Sequence, residues 1–254
     1  MNDRLKILNI WVDPVDRKEA IRRVKGFLKT GAKPHAVFAV NPEKNFSTPK
    51  NAVLYDTFKN AELLLPDGMG VVLAARILYG VNLERVPGSE FIFDICNIAT
   101  DGNYKVFIYG ATEDVNNKAV EELKNRYPDL KIVGRANGYV KDSEIPGLID
   151  RINASKAEIL FLALGSPKQE KWFATYKIRL HHVRVVQGVG GTLDTIAGTV
   201  KRAPKVWCKF QLEWLYRLIV EPKRIKRQKV LPLFAAMVLI AKIKIMMRGR
   251  NRNN

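Results

Sequence analysis

Between Lys6 and Val189 the sequence changes hydrophobic period again and again, from short apolar runs to longer stretches with one apolar helical face. Lys6–Val12, His35–Val40, Glu62–Leu65, Lys105–Tyr109, Lys131–Arg135, Ile159–Ala163 and Val183–Val189 read as strands. Helices are expected near Asp16–Lys29, Asn51–Asn60, Met69–Tyr79, Ser89–Thr100, Glu113–Tyr127, Ser143–Ala154 and Pro167–Leu180. KVFIYG, EILFLALG and VRVVQGVGG are almost continuously apolar, as strands covered by helices on both faces must be. Such alternation predicts an α/β fold, a Rossmann-like, mostly parallel sheet with helices on both faces. At 254 residues and 47% hydrophobic content, the chain can bury the core of one such domain and still carry an appendage. The boundary is expected near Gly198, giving a Rossmann-like domain over 1–198 and a basic helical appendage over 199–254.

Charge marks the same boundary. The formal net charge is +18, and residues 201–254 hold 15 Lys or Arg against Glu213 and Glu221, so +13 of it lies in the tail. A segment this basic meets something anionic: phospholipid headgroups, a phosphorylated substrate or nucleic acid. Trp207, Phe210, Trp214 and Leu218 share one helical face, and Glu221–Pro222 interrupts the pattern. KRIKRQK follows, then VLPLFAAMVLIA from Val230 to Ala241 and a mixed stretch, KIKIMMRGRNRNN. The 12-residue apolar run falls short of the about 20 residues that span a bilayer, so the tail reads as a segment lying in the membrane interface. A core-packing helix with a solvated basic end is the structural alternative. A nucleic-acid arm is a third reading, and tryptophans beside an apolar run favour a membrane over it. Without a membrane, an apolar appendage would bury itself against another copy of the chain, so a homo-oligomer is possible. MNDRLKILNIWVDP has no signal-peptide core, and Cys96 and Cys208 show no metal or disulfide framework. The expected location is therefore cytoplasmic, peripheral on the inner face of the plasma membrane.

Ligands of open parallel sheets bind beyond the carboxyl ends of the strands, and four segments fall at such ends. They are Val40–Asn41–Pro42–Glu43, Leu65–Pro66–Asp67–Gly68–Met69–Gly70, Gly165–Ser166–Pro167–Lys168–Gln169–Glu170 and Gly188–Val189–Gly190–Gly191–Thr192–Leu193–Asp194. Asp67 is the carboxylate that could take a proton from an attacking hydroxyl, or could simply cap the helix beginning near Met69. Gln169, beside Lys168 at a helix opened by Pro167, could hold a phosphate or sugar oxygen, or sit solvated. Arg85 could fork a phosphate or be an ordinary surface arginine. The glycines from Gly188 could bring backbone N–H groups to a diphosphate or only form a tight turn, and Gly110 carries the same ambiguity. Leu193 occupies the last glycine position of a dinucleotide fingerprint, and no further strand and acid follow, which argues against a dinucleotide-dependent oxidoreductase. His35, His181 and His182 make no ligand spacing, and no D-x-D motif for a divalent metal is present.

Taken in order, AVNPEKN, LLPDGMGVVLAARILYG, ERVPGSEF, FIYGA, LALGSPKQEKW, GVGGTLDTIAGTVKRAPKVW and LEWLYRLIVEPKRIKRQ resemble the WecG/TagA/CpsF family of bacterial glycosyltransferases. The resemblance implies a metal-independent, inverting transferase without a cofactor. Its UDP-activated sugar, such as N-acetylmannosamine or its uronic acid, goes to polyprenyl-diphosphate-linked N-acetylglucosamine in surface-glycan synthesis. By the same resemblance Asp67 matches the general base, and Arg85 and Gln169 match phosphate- or sugar-engaging positions. Asn41, Gly110, Gly165, Lys168, Gly190, Gly191, Thr192 and Asp194 are expected around nucleotide and donor. Arg217, Arg224 and Arg227 are expected to clamp the acceptor diphosphate. One departure stands out: Ala39 occupies a position where threonine is frequent in the family.

Overall fold

A computed structural model of the chain describes residues 4–30, 33–200, 207 and 229–250, with side chains as far as Arg248. Its strands are β1 (Leu5–Ile7), β2 (Ile10–Val12), β3 (His35–Val40), β4 (Leu63–Pro66), β5 (Lys105–Gly110), β6 (Lys131–Ala136), β7 (Ile159–Ala163) and β8 (Val185–Gly188). The helices are α1 (Arg17–Thr30), α2 (Lys44–Ser47), α3 (Ala52–Asn60), α4 (Met69–Tyr79), α5 (Gly88–Asp101), α6 (Glu113–Arg126), α7 (Ile145–Ala154), α8 (Lys168–Tyr176), α9 (Thr192–Ile196) and α10 (Val230–Arg250). Six strands form one sheet in the order β4-β3-β8-β7-β5-β6. Every pairing in it is parallel.

Period-two alternation sends successive strand residues to opposite faces, so the sheet builds two cores. Ala36, Phe38, Val40, Leu64, Phe107, Tyr109, Leu160, Leu162 and Val186 pack beneath α3, α4, α7, α8 and α10. Val37, Leu63, Leu65, Val106, Ile108, Ile159, Phe161 and Val185 pack beneath α1, α5, α6 and α9. Helices therefore cover both faces, as the apolar strand runs require.

Two elements differ from expectation. Lys6–Val12 is not one strand: β1 and β2 pair antiparallel as a separate hairpin, because the chain turns at Leu8–Asn9, with Leu8 at φ 55°. The end of the chain also differs. The apolar run does not stop at Ala241, because nothing before Gly249 disfavours helix and Pro232 falls in the first turn, where a missing N–H is tolerated. The result is a single 21-residue helix, about 30 Å long at 1.5 Å per residue. Its Val230–Arg248 portion is long and apolar enough to cross a membrane, by length and composition alone. Phe234 and Val238, one turn apart, are buried and join the core beneath α4, while Leu233, Leu239, Ile240, Ile243, Ile245, Met246 and Met247 stay exposed.

Candidate active site

Sheet order does what the sequence could not do: it brings the strand-end segments into a row. The segments carrying Asp67, Asn41, Gly190 and Gln169 close β4, β3, β8 and β7, which are consecutive neighbours, and β5 with Gly110 comes next. They stand side by side along the carboxyl edge, where the crevice of a parallel sheet takes its ligands.

Asp67 directly follows β4 and is tied across to β3, since Asp67 N and Gly68 N both donate to Val40 O, at 3.1 and 3.3 Å. The N-cap position of α4 is Gly68, so the capping alternative for Asp67 falls away. Arg85 Nε donates to Asp67 O at 2.6 Å, and Arg85 Nη2 stands 3.7 Å from Asp67 Oδ1. The guanidinium thus holds both the turn and its carboxylate. The segment stays in place because Val86 N donates to Pro66 O at 2.9 Å. Glycines allow this closeness: a Cβ on Gly68 would lie 2.9 Å from Pro42 Cδ, and one on Gly88 would lie 2.8 Å from Ala39 Cβ and 4.0 Å from Asp67 Oδ2. The first residue of α5 therefore covers Ala39, where a larger residue would be crowded. Gln187 Nε2 donates to Gly88 O at 3.0 Å and fixes that helix start to β8.

The opposite wall is built from charge. Lys44 Nζ pairs with Glu170 Oε1 at 2.6 Å, with side chains only 8% and 1% exposed, and also donates to Ser166 Oγ. Gln169 Nε2 donates to Glu170 Oε1 at 3.4 Å, and Gln169 Oε1 accepts from Gly190 N at 3.1 Å. One buried network thus links the loops after β3, β7 and β8. Asn41 Oδ1, Glu170 Oε2 and Gln187 Oε1 are buried acceptors with no hydrogen-bond partner among the described residues. Buried acceptors ask for donors, which ordered water or a hydroxylated ligand can supply.

The remaining expected residues divide. Gly165 and Gly190 take left-handed backbone, at φ 72° and 53°, with open space where a Cβ would stand. Gly110 is demanded by packing, because a side chain there would collide with the Ala163 backbone. Lys168 and Gly191 are exposed at the crevice rim. Thr192 Oγ1 donates to Val189 O at 2.5 Å, and the backbone carbonyl of Asp194 accepts from Thr199 and Val200. The glycine turn opens only a five-residue helix, and one of its N–H groups already serves Gln169, which leaves it little like a dinucleotide loop. Arg217, Arg224 and Arg227 lie outside the described residues. Lys44, Glu170, Ser166 and Gln187 were not singled out in the sequence. Ser166 and Glu170 lay inside a strand-end segment already marked, and the lone glutamine inside VRVVQGVGG was a further signal. Away from the crevice, a concavity of about 320 Å³ lined by Lys105, Lys156, Glu158, His181, His182 and Arg184 opens at the amino ends of the strands.

A sequence model of the Glycosyl transferase WecG/TagA/CpsF family matches residues 5–248. The chain is 35% identical over 203 residues to the N-acetylglucosaminyldiphosphoundecaprenol N-acetyl-beta-D-mannosaminyltransferase of Bacillus subtilis (strain 168), covering 80% of this chain and 78% of that protein. It is 33% identical over 244 residues to the protein of the same name in Staphylococcus aureus (strain MRSA252), covering 95% of this chain and 94% of that one. A family match that runs almost from end to end, together with relatives at 33–35% identity over most of both chains, settles the lineage: this chain is a glycosyltransferase and belongs to the WecG/TagA/CpsF family.

Proposed function

We propose that the protein transfers N-acetylmannosamine, or its uronic acid, from a UDP donor to polyprenyl-diphosphate-linked N-acetylglucosamine. The pathway is surface-glycan synthesis of the wall teichoic acid type. The names of the two relatives supply the acceptor and the sugar. The observation that carries the reading is Asp67 held by Arg85 at the crevice edge, with the buried acceptors Asn41 Oδ1 and Gln187 Oε1 on neighbouring strands.

The chemistry is a single displacement. An acceptor hydroxyl attacks the anomeric carbon and gives its proton to Asp67. The bond from that carbon to the UDP oxygen breaks on the opposite face, and configuration inverts. The reaction uses no metal in this reading, so cationic side chains and N–H donors take up the charge developing on the leaving diphosphate. Arg85 and Gln169 are the described candidates, with Arg217, Arg224 and Arg227 of the appendage added for the acceptor. A general base of this kind is worth about 10²–10⁴-fold in rate.

The division into a catalytic domain over 1–198 and an appendage over 199–254 belongs to the same proposal. So does a place on the cytoplasmic face of the membrane. The exposed apolar side chains of α10 and of Leu73 and Ile77 on α4 favour a lipid neighbour, and Lys242, Lys244 and Arg248 suit an anionic surface. The test is UDP release from a panel of UDP-sugars, with and without a short-chain polyprenyl-diphosphate-N-acetylglucosamine and with EDTA throughout. Acceptor-dependent release from UDP-N-acetylmannosamine, unaffected by EDTA, is the expected result. Release that stops with EDTA removes the metal-independent mechanism, and no release from any donor removes the substrate assignment.

A further inference from the structure

We propose that Lys44 and Glu170 are a buried positioning pair that fixes which end of the Gln169 amide faces the sugar-transfer crevice. The proposal rests on the reading of that crevice as the transfer site, and one of its readouts needs no substrate.

Stability alone is a poor reason for this pair. Burying an ammonium and a carboxylate costs several kcal/mol per ion, and an apolar pair of similar volume is often as stable or more so. The Lys44 side chain instead spans two loops, from α2 after β3 to Ser166 and Glu170 around the start of α8. Its ammonium lies over the Phe58 ring, with Nζ 5.1 Å from the centroid, so it is held laterally too. The geometry then passes to Gln169. A backbone N–H can only donate, so Gly190 N, at 3.1 Å, demands the amide oxygen. Glu170 Oε1 already accepts from Lys44 Nζ, so at 3.4 Å it demands the amide nitrogen. Only one orientation meets both demands. It leaves the second Nε2 hydrogen as a donor for a phosphate or sugar oxygen. The Lys44 ammonium can only donate, so its contact at 2.6 Å, in a place with almost no solvent, holds Glu170 Oε1 as an acceptor. If the carboxylate were lost, the amide could flip and turn an oxygen, not an N–H, toward an anionic ligand.

Two variants test this. Lys44→Met/Glu170→Leu replaces the pair with apolar side chains of similar size. It should melt within a few degrees of the parent, because the desolvation cost disappears with the ions. Its turnover should fall about tenfold or more, the scale expected when a site group is misplaced, with KM for the donor changed less than kcat. The side-chain amide protons of Gln169, assigned by their loss in Gln169→Glu, should be dispersed and slow to exchange in the parent. In the double variant they should move to solvent-exposed positions. Where the double variant does not fold, the isosteric Glu170→Gln carries the test, since a neutral amide can offer either end to Gln169. It should broaden or double the same resonances and lower kcat. A folded variant with unchanged Gln169 resonances and unchanged kcat overturns the proposal. If the transfer reading itself is wrong, the parent turns over no donor while the resonance change still appears, so the two failures are told apart.

Discussion

Arg85 binds Asp67 twice, through Nε to the backbone carbonyl at 2.6 Å and through Nη2 to the carboxylate at 3.7 Å. A planar guanidinium presents separate, rigidly placed donors to a carbonyl and a carboxylate of one residue, a geometry that a flexible ammonium does not hold. Arg85→Lys should therefore keep the charge, lose the fork and lower kcat by about tenfold or more, the scale of a misplaced catalytic group. Steady-state UDP release measures this, and a lysine variant with parental kcat would show that charge alone suffices.

The start of α5 lies against Ala39 so closely that Gly88 has no room for a methyl, which would stand 2.8 Å from Ala39 Cβ. Gly88→Ala should cost about 1–3 kcal/mol as overpacking and lift α5 away from Asp67. Removing the opposing methyl should relieve it, so Gly88→Ala/Ala39→Gly should recover part of the loss. Denaturant melts of both singles and the double give the coupling. Strict additivity would place the strain elsewhere.

Phe234 anchors α10 from a position next to Gly70, whose Cβ would lie 3.8 Å from its ring. Phe234→Ala should weaken docking of α10 by about 3 kcal/mol, a typical cost of emptying an aromatic site. Amide exchange across Val230–Arg248 should rise while exchange in β3 and β7 stays slow. Deleting everything after residue 200 should abolish sedimentation with anionic liposomes. A truncated protein that still pellets would put the membrane contact on the sheet domain.

Burial pushes the Cys96 thiol up to about 12 from a reference of 9.0. The thiolate is therefore disfavoured in the folded state, and a Cys208→Ser variant should resist thiol reagents at pH 8 until it is denatured. The sign for stability follows. A raised folded-state value contributes stability that is complete below pH 9 and is lost as pH climbs toward 12. Rapid labelling of the native variant at pH 8 would contradict the burial.

Much of the fold was legible because the strands are apolar on both sides and end in turn residues. Met69–Tyr79 and Ile159–Ala163 match their expected bounds. The carboxyl-edge segments were legible as well, since Pro-Asp-Gly and Gly-x-Gly-Gly stand out after such runs. Their adjacency was not, because β4-β3-β8-β7 is a matter of crossover connections, and no local pattern encodes those. Lys44 and Glu170 were illegible for another reason. A charged side chain at a helix start looks solvated unless its partner, here 126 positions away, is known to face it. The unbroken length of α10 was misjudged because interleaved lysines ended the apolar run on paper, whereas a helix tolerates Lys242 and Lys244 without interruption.

The most direct test of the account is acceptor-dependent UDP release by Asp67→Asn, measured beside its UDP affinity by calorimetry. The account predicts unchanged UDP binding and a rate lower by about 10²-fold or more, the worth of a general base. An Asp67→Asn protein that releases UDP at the parental rate would contradict it.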